Sequence, residues 1–209
     1  MEHYDVIVIG TGPAGEGAAM MATKSGKRVA VIERHSEVGG GCTHWGTIPS
    51  KALRHAVKTL RDARRDPLLR SLRASLHIEF PQLLASAGSV TTAQVASRRR
   101  FYDRNHVPVY GGSAWFVDEH TLEVRTKAGT AERISADYVV IAAGSRPYRP
   151  PELDFSNPRV RDSDTVLHYN ASPFAVTIFG GGVIGCGPIG LFAIQWMKLM
   201  RSEEHTSEL

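Results

Sequence analysis

Asp5-Val6-Ile7-Val8-Ile9-Gly10-Thr11-Gly12-Pro13-Ala14-Gly15 carries four β-branched apolar residues in succession after Asp5 and breaks into Gly-x-Gly-x-x-Gly. The apolar run predicts a short strand buried on both faces. Ala14, Ala18 and Ala22 stand at helical spacing behind it. In a strand–turn–helix of this kind Gly10 makes the tight turn and Gly12 lets a pyrophosphate approach the backbone. Gly15 lets helix and strand pack closely, so the helix N-terminus faces the phosphates. Working outward, Arg28-Val29-Ala30-Val31-Ile32-Glu33 reads as a second strand ending in an acid. Glu33 stands eighteen residues beyond Gly15, near the distance expected of a residue that binds a ribose hydroxyl. The pattern predicts an α/β fold, a Rossmann-like unit with a parallel sheet, and a dinucleotide site.

The 209 residues suffice for one large or two small domains, and 42% apolar with 22% charged residues is ordinary for a globular chain. No apolar run approaches a membrane span, and the N-terminus lacks the layout of a signal peptide. Two cysteines, Cys42 and Cys186, make no disulfide framework, so a cytoplasmic location is expected. The net charge of +4 is mild. Arginines cluster at 61, 64, 65, 70 and 73 and at 98, 99 and 100, without aromatic interleaving. Solvated helix faces are expected there, and neither a nucleic-acid nor a membrane partner. No metal site is expected.

After Glu33 and Arg34 comes Gly39-Gly40-Gly41-Cys42-Thr43-His44-Trp45-Gly46-Thr47-Ile48-Pro49-Ser50-Lys51-Ala52-Leu53. Three glycines allow the backbone to press against a flat group or to turn sharply. Pro49 or Ser50 opens a predicted helix running through Ala52, Leu53, Ala56 and Leu60 to about Arg65-Asp66-Pro67. The pattern resembles the flavoprotein disulfide reductases, whose Gly-Gly-x-Cys-x-x-x-x-Cys-Ile-Pro-Ser-Lys-Ala carries a redox disulfide beside FAD. Here the first cysteine is Cys42 and the second position is Thr47. Threonine has no thiol, so no dithiol–disulfide couple forms within the motif. The run through Leu53-Arg54-His55 is similar to the transhydrogenase branch of that family, in which hydride passes from NADPH through FAD to NAD⁺ with no redox disulfide. The resemblance implies a pyrophosphate site at Gly10, Gly12, Pro13, Ala14 and Gly15, and a ribose site at Glu33 with Arg34. It places Gly40, Gly41 and Cys42 along the isoalloxazine, with Cys42 filling space. Lys51 would be the catalytic residue, its charge near the reactive edge of the flavin.

Leu83-Leu84 and nearby alanines suggest a short helix, Ser89 to Thr92 a loop, and Thr92 to Asn105 a helix with His106 at its end or on the surface. Val107–Tyr110 then reads as a parallel strand. Ala114–Val117, Thr121–Arg125 and Ala131–Ile134 read as a small β-meander. Asp137-Tyr138-Val139-Val140-Ile141-Ala142-Ala143-Gly144 reads as another buried strand entering a turn. The resemblance makes Ala143 and Gly144 a second flavin contact, with Gly144 permitting close approach. Prolines 147, 150 and 151 mark a boundary, and Asp162-Ser163-Asp164 is read either as a family feature or as a helix cap.

Ala175-Val176-Thr177-Ile178-Phe179 begins a further strand candidate, followed by Gly180-Gly181-Gly182-Val183-Ile184-Gly185. The resemblance makes Gly180, Gly182 and Gly185 the opening of an NAD(P) site. The family continues Cys-Glu, whereas this chain has Cys186-Gly187. Residues 185–196 are similar to the nucleotide motif of medium-chain, zinc-type alcohol dehydrogenases. The polar residues 201–209 read as a translated sequencing-library adapter. The expected organisation is an FAD domain over 1–150, a connector over 151–174, an incomplete NAD(P)-binding βα unit over 175–200 and an adventitious tail over 201–209. On this view the chain is an N-terminal fragment of a homo-oligomeric, FAD- and NAD(P)-dependent transhydrogenase, itself inactive. A flavin-binding fragment without catalysis, or a thiol-dependent flavin reductase like dihydrolipoamide dehydrogenase, are the other classes.

Overall fold

In the computed structural model, which describes residues 1–69, 78–170, 173 and 175–178, β1 (Glu2–Ile9) lies at the centre of one sheet. It pairs in parallel with β2 (Val29–Glu33) on one edge, Val6 opposite Val29 through Ile9 opposite Ile32. On the other edge it pairs in parallel with β6 (Ala131–Ile141), Glu2 opposite Ile134 through Ile9 opposite Ile141. Beyond β2 lies β3 (Val109–Gly111), also parallel. Beyond β6 come β5 (Thr121–Arg125) and β4 (Ser113–Phe116), both antiparallel, giving the order β3-β2-β1-β6-β5-β4.

Side chains alternate between two cores, as strand periodicity demands. Ile7, Ala30 and Ile32 join Leu122, Val124, Ile134 and Ala136 in one cluster. Val8, Val29 and Val31 join Ala19 of α1 (Pro13–Lys24), Val38, Val107 and Tyr102 in the other. The near-continuous apolar reading of β1 and β2 follows from this two-sided burial. These elements, residues 1–44 and 92–146, make one compact unit.

The second unit comprises 45–91 and the described residues from 147 onward. Its helix α3 (Thr47–Arg65) buries Pro49, Leu53, Val57 and Leu60, an apolar stripe one or two turns apart. Leu53 and Val57 pack with Phe80, Leu83 and Ala87 at the start of α4 (Phe80–Arg104), with Leu167 and Tyr169 alongside.

Several expectations are corrected. α4 is a single helix, so the loop expected at Ser89–Thr92 does not exist. Gly88 and the threonines carry helix penalties below about 1 kcal/mol each, which the packed turns on either side outweigh. The last meander strand and the strand at Asp137 are likewise one element, β6. Its end is not buried: Tyr138 and Ile141 are 73% and 68% exposed. The cause is pairing, since β5 matches β6 only as far as Ser135. Ala175–Ile178 lie in no strand, and no described strand offers them a ladder. Among the arginines, Arg99 and Arg100 are exposed as expected, but Arg98 is mostly buried in an ion pair with Glu16. Arg70 and Arg73 lie outside the described residues, as do Gly180, Gly182, Gly185 and Cys186 of the second fingerprint. No described helix is long and apolar enough to cross a membrane.

Candidate functional site

The first fingerprint sits where β1, β2 and β6 end together. Gly10 N–H donates to Ile32 O at 2.8 Å, and Ala142 N–H to Ile9 O at 2.9 Å. The chain then turns into α1 with Gly12 at the N-cap, where no side chain caps the helix. A Cβ on Gly15 would stand 1.9 Å from Gly10 O, so only glycine lets the helix start this close to the strand. The first intrahelical bond runs from Glu16 N–H to Gly12 O, 2.8 Å. Pro13 has no N–H, and the amides of Ala14 and Gly15 precede that bond at the positive end of the helix. Pro13 and Ala14 are exposed.

A second backbone segment closes on this turn. α2 (Gly40–His44) starts at Gly40, which has φ +59°, and a Cβ there would lie 2.6 Å from Gly12 Cα. Gly41 and Cys42 follow in α2, partly buried, with Cys42 a free thiol. Gly144 is exposed with φ +72° and has open space where a Cβ would stand. Gly10 sits tightly against the residue after β6, since a Cβ on it would meet Ala142 O at 2.3 Å. Ala143 and Arg34 are exposed.

Glu33 ends β2 with only 8% of its surface exposed, and its carboxylate is held by three donors. Thr11 N–H and Thr11 Oγ–H both donate to Oε2, at 3.0 and 2.5 Å. His35 N–H donates to Oε1 at 2.8 Å. The fully buried Thr11 hydroxyl also accepts Gly39 N–H at 2.9 Å, tying the segment before α2 to the first turn. Thr11 was not among the residues expected from the motif, because it occupies a variable position between two glycines. The signal available was a polar residue placed directly after a strand buried on both faces.

Two further buried groups escaped the motif. Thr43 Oγ1 and Tyr102 Oη are fully buried without a hydrogen-bond partner. Tyr102 lies against the Arg98–Glu16 pair, and burial, then the Glu16 charge, raises its phenol above the ordinary range. His44 donates Nε2–H to Val38 O at 2.9 Å and its ring lies 4.3 Å from that of His35. Burial holds its imidazole below the usual histidine value, aided by the His35 ring.

The second unit carries the remaining expectations. Lys51 is exposed on α3, and Thr47 is the first residue of that helix, also exposed. Asp162 is buried and holds the turn over residues 163–165. Its Oδ1 accepts N–H of Asp164 and Thr165 and the Thr165 hydroxyl, and its Oδ2 accepts Arg149 Nε–H at 2.8 Å. Burial alone would raise this carboxyl, but the bonds from Thr165 and Arg149 outweigh it and hold it below the ordinary range. Among the described residues, no group of three or more His, Cys, Asp or Glu side chains could hold a metal ion.

The first turn fits a dinucleotide. It offers uncapped helix amides, a glycine wall where Gly40 packs on Gly12 too closely for any side chain, and a buried acceptor at the end of the second strand. Comparison with known proteins agrees. The family model for pyridine nucleotide-disulphide oxidoreductases matches residues 4–200. A soluble pyridine nucleotide transhydrogenase of Vibrio cholerae is 51% identical over 190 residues, covering 91% of this chain and 41% of that protein. One of Pseudomonas aeruginosa is 50% identical over 191 residues with the same coverage. This chain thus spans about two-fifths of the length of the curated relatives it matches. Among solved structures, the HOCl-induced flavoprotein disulfide reductase RclA of Escherichia coli, solved as a Cu(II) complex, superposes with a TM-score of 0.73. It is 28% identical, covering 88% of this chain and 38% of that one. By its β1–α1–β2 fingerprint, its Gly39–Leu53 run and these matches, the chain belongs to the pyridine nucleotide-disulphide oxidoreductase family.

Proposed function

We propose that this chain binds FAD at the β1–α1 turn and supplies the flavin half of a transhydrogenase that moves hydride from NADPH to NAD⁺ without a redox disulfide. The observation that carries the reading is the closure of Gly40 over Gly12 beside the buried carboxylate of Glu33. The amides of Ala14 and Gly15 would hold the pyrophosphate, with the α1 dipole adding positive potential there. Glu33 would accept from the adenosine ribose, and Gly40 and Gly41 would keep the wall flat. FAD, when bound, supplies a two-electron centre able to take a hydride from one nicotinamide and give it to another.

Thr47 supports the absence of a dithiol step, because its hydroxyl cannot form a disulfide with Cys42. The relatives carrying transhydrogenase names favour the same reading over a thiol-dependent reductase. By its position in the Pro49-Ser50-Lys51 motif alone, Lys51 would supply the charge near the reactive edge of the flavin. The domain division at about residue 150, a nicotinamide site opening at Gly180, Gly182 and Gly185, and a cytoplasmic location belong to the same reading.

The test is titration of the flavin-free chain with FAD and with FMN, followed by flavin fluorescence. FAD should bind at least tenfold more tightly, because FMN lacks the adenosine that reaches Glu33. Equal affinities, or no binding of either, would refute the assignment. NADPH-dependent reduction of thio-NAD⁺ with FAD present tests hydride exchange. Turnover of dihydrolipoamide instead would favour the thiol-dependent class.

A further inference from the structure

The acid at the end of β2 has little freedom left. A carboxylate offers about four acceptor directions, two on each oxygen. On Glu33, Oε2 is filled by the two donors of Thr11, and Oε1 takes His35 N–H. One direction remains, on Oε1. A ribose presents two adjacent hydroxyls, at C2′ and C3′, and an unencumbered carboxylate can accept from both. This one cannot without breaking a bond to Thr11 or His35. Thr11 itself has no slack, since its hydroxyl donates to Glu33 while accepting from Gly39 N–H, and it is fully buried. The chain Gly39 N–H to Thr11 Oγ–H to Glu33 Oε2 is polarised in one sense, which strengthens each bond in it.

We propose that Thr11 is a positioning residue that locks Glu33 into accepting a single hydroxyl of the dinucleotide's adenosine ribose. The inference rests on the FAD assignment above and goes beyond it. Motif reading gives Glu33 a ribose without saying how many hydroxyls it takes, and gives Thr11 no role.

Two experiments on the full 209-residue chain decide it. The first needs no substitution. FAD analogues lacking only the 2′- or only the 3′-hydroxyl of the adenosine ribose are titrated against the flavin-free chain by fluorescence. One analogue should lose about tenfold in affinity and the other stay within about twofold of FAD. Equal losses for both would overturn the single-hydroxyl geometry. The second is Thr11→Val, which keeps the volume and removes the hydroxyl, compared with Thr11→Ser, which keeps the hydroxyl. Thr11→Val should weaken FAD about tenfold and Thr11→Ser by less than twofold. The Val penalty should shrink below twofold for an analogue lacking both ribose hydroxyls. A penalty that persists with that analogue would place Thr11 in the pyrophosphate cradle instead and overturn the proposal. Should the wild-type chain bind no flavin, the FAD assignment itself falls and takes this inference with it. Tight FAD binding that ignores Thr11 and both hydroxyls sinks only the inference.

Discussion

Substituting Gly15 by alanine tests whether the fingerprint is a packing device before it is a binding device. The added Cβ would stand 1.9 Å from Gly10 O, 2.9 Å from Gly10 C and 3.3 Å from Val8 Cγ1. Two of these atoms are backbone at the end of the central strand, so no side chain can swing away. Restoring ordinary contact of about 3.2 Å needs a displacement of about 1.3 Å between the α1 N-terminus and the β1 turn. Overpacking of this kind costs typically 1–3 kcal/mol and more when only backbone can yield. We expect about 3 kcal/mol, which lowers Tm by about 6–12 °C for a chain of this size. Gly17, two residues on in the same helix, is the internal control, for a Cβ there would meet nothing within 4 Å. Gly17→Ala should therefore gain up to about 1 kcal/mol of helix propensity. Thermal melts followed by circular dichroism at 222 nm, with urea titration to confirm the energies, read both variants. A Gly15→Ala chain melting within 1 °C of the wild type would refute the reasoning, as would a Gly17→Ala chain that melts earlier.

Two other perturbations follow from buried polar groups. Tyr102→Phe removes a hydroxyl that is buried without a partner, so it should leave stability unchanged or raise it by about 1 kcal/mol. A lowered Tm would mean that this hydroxyl has a partner in solution. His44 has a folded-state value below the ordinary 6.5, caused first by burial. The unfolded chain therefore takes up a proton before the folded one does, and stability is lost as pH falls from 6.5 through the lower folded value. His44→Gln should flatten that part of the Tm–pH curve. An unchanged slope between pH 7 and 5 would assign the acid sensitivity elsewhere.

The sequence was most legible where one physical cause dominates. Val6–Ile9 and Val29–Ile32 announce strands because both faces are covered, and Leu53, Val57 and Leu60 announce a helix because one face is. It was less legible where local signals and tertiary packing disagree. Ser89-Val90-Thr91-Thr92 reads as a loop from its small polar residues, yet α4 passes through it, anchored by Leu83 and Ala87 before and Tyr102 after. Ser135-Ala136-Asp137 looks like a break between strands. In the fold Ser135 is buried, and its backbone pairs with both β1 and β5. At the site, the glycines and Glu33 could be named from spacing. Thr11 could not, because its role depends on where the side chains of β2 and the segment before α2 arrive.

That difference separates two kinds of residue in one turn. Gly10, Gly15 and Gly40 are required by backbone atoms 1.9–2.6 Å from where a side chain would begin, with or without a cofactor. Loss of flavin in their variants would be inseparable from loss of fold, so they cannot by themselves show what the turn binds. Thr11 and Glu33 are different, since their volumes can be preserved while their hydrogen-bonding atoms are exchanged. Glu33→Gln retains one acceptor oxygen and replaces the other with a donor, which cannot accept from Thr11 without a flip. If Thr11 acts on the dinucleotide only through Glu33, the double variant Thr11→Val with Glu33→Gln should bind FAD no more weakly than Glu33→Gln alone. Additive losses would mean two independent contacts. Non-additivity is the sharper expectation, because the geometry joins the two residues by two hydrogen bonds to a single oxygen.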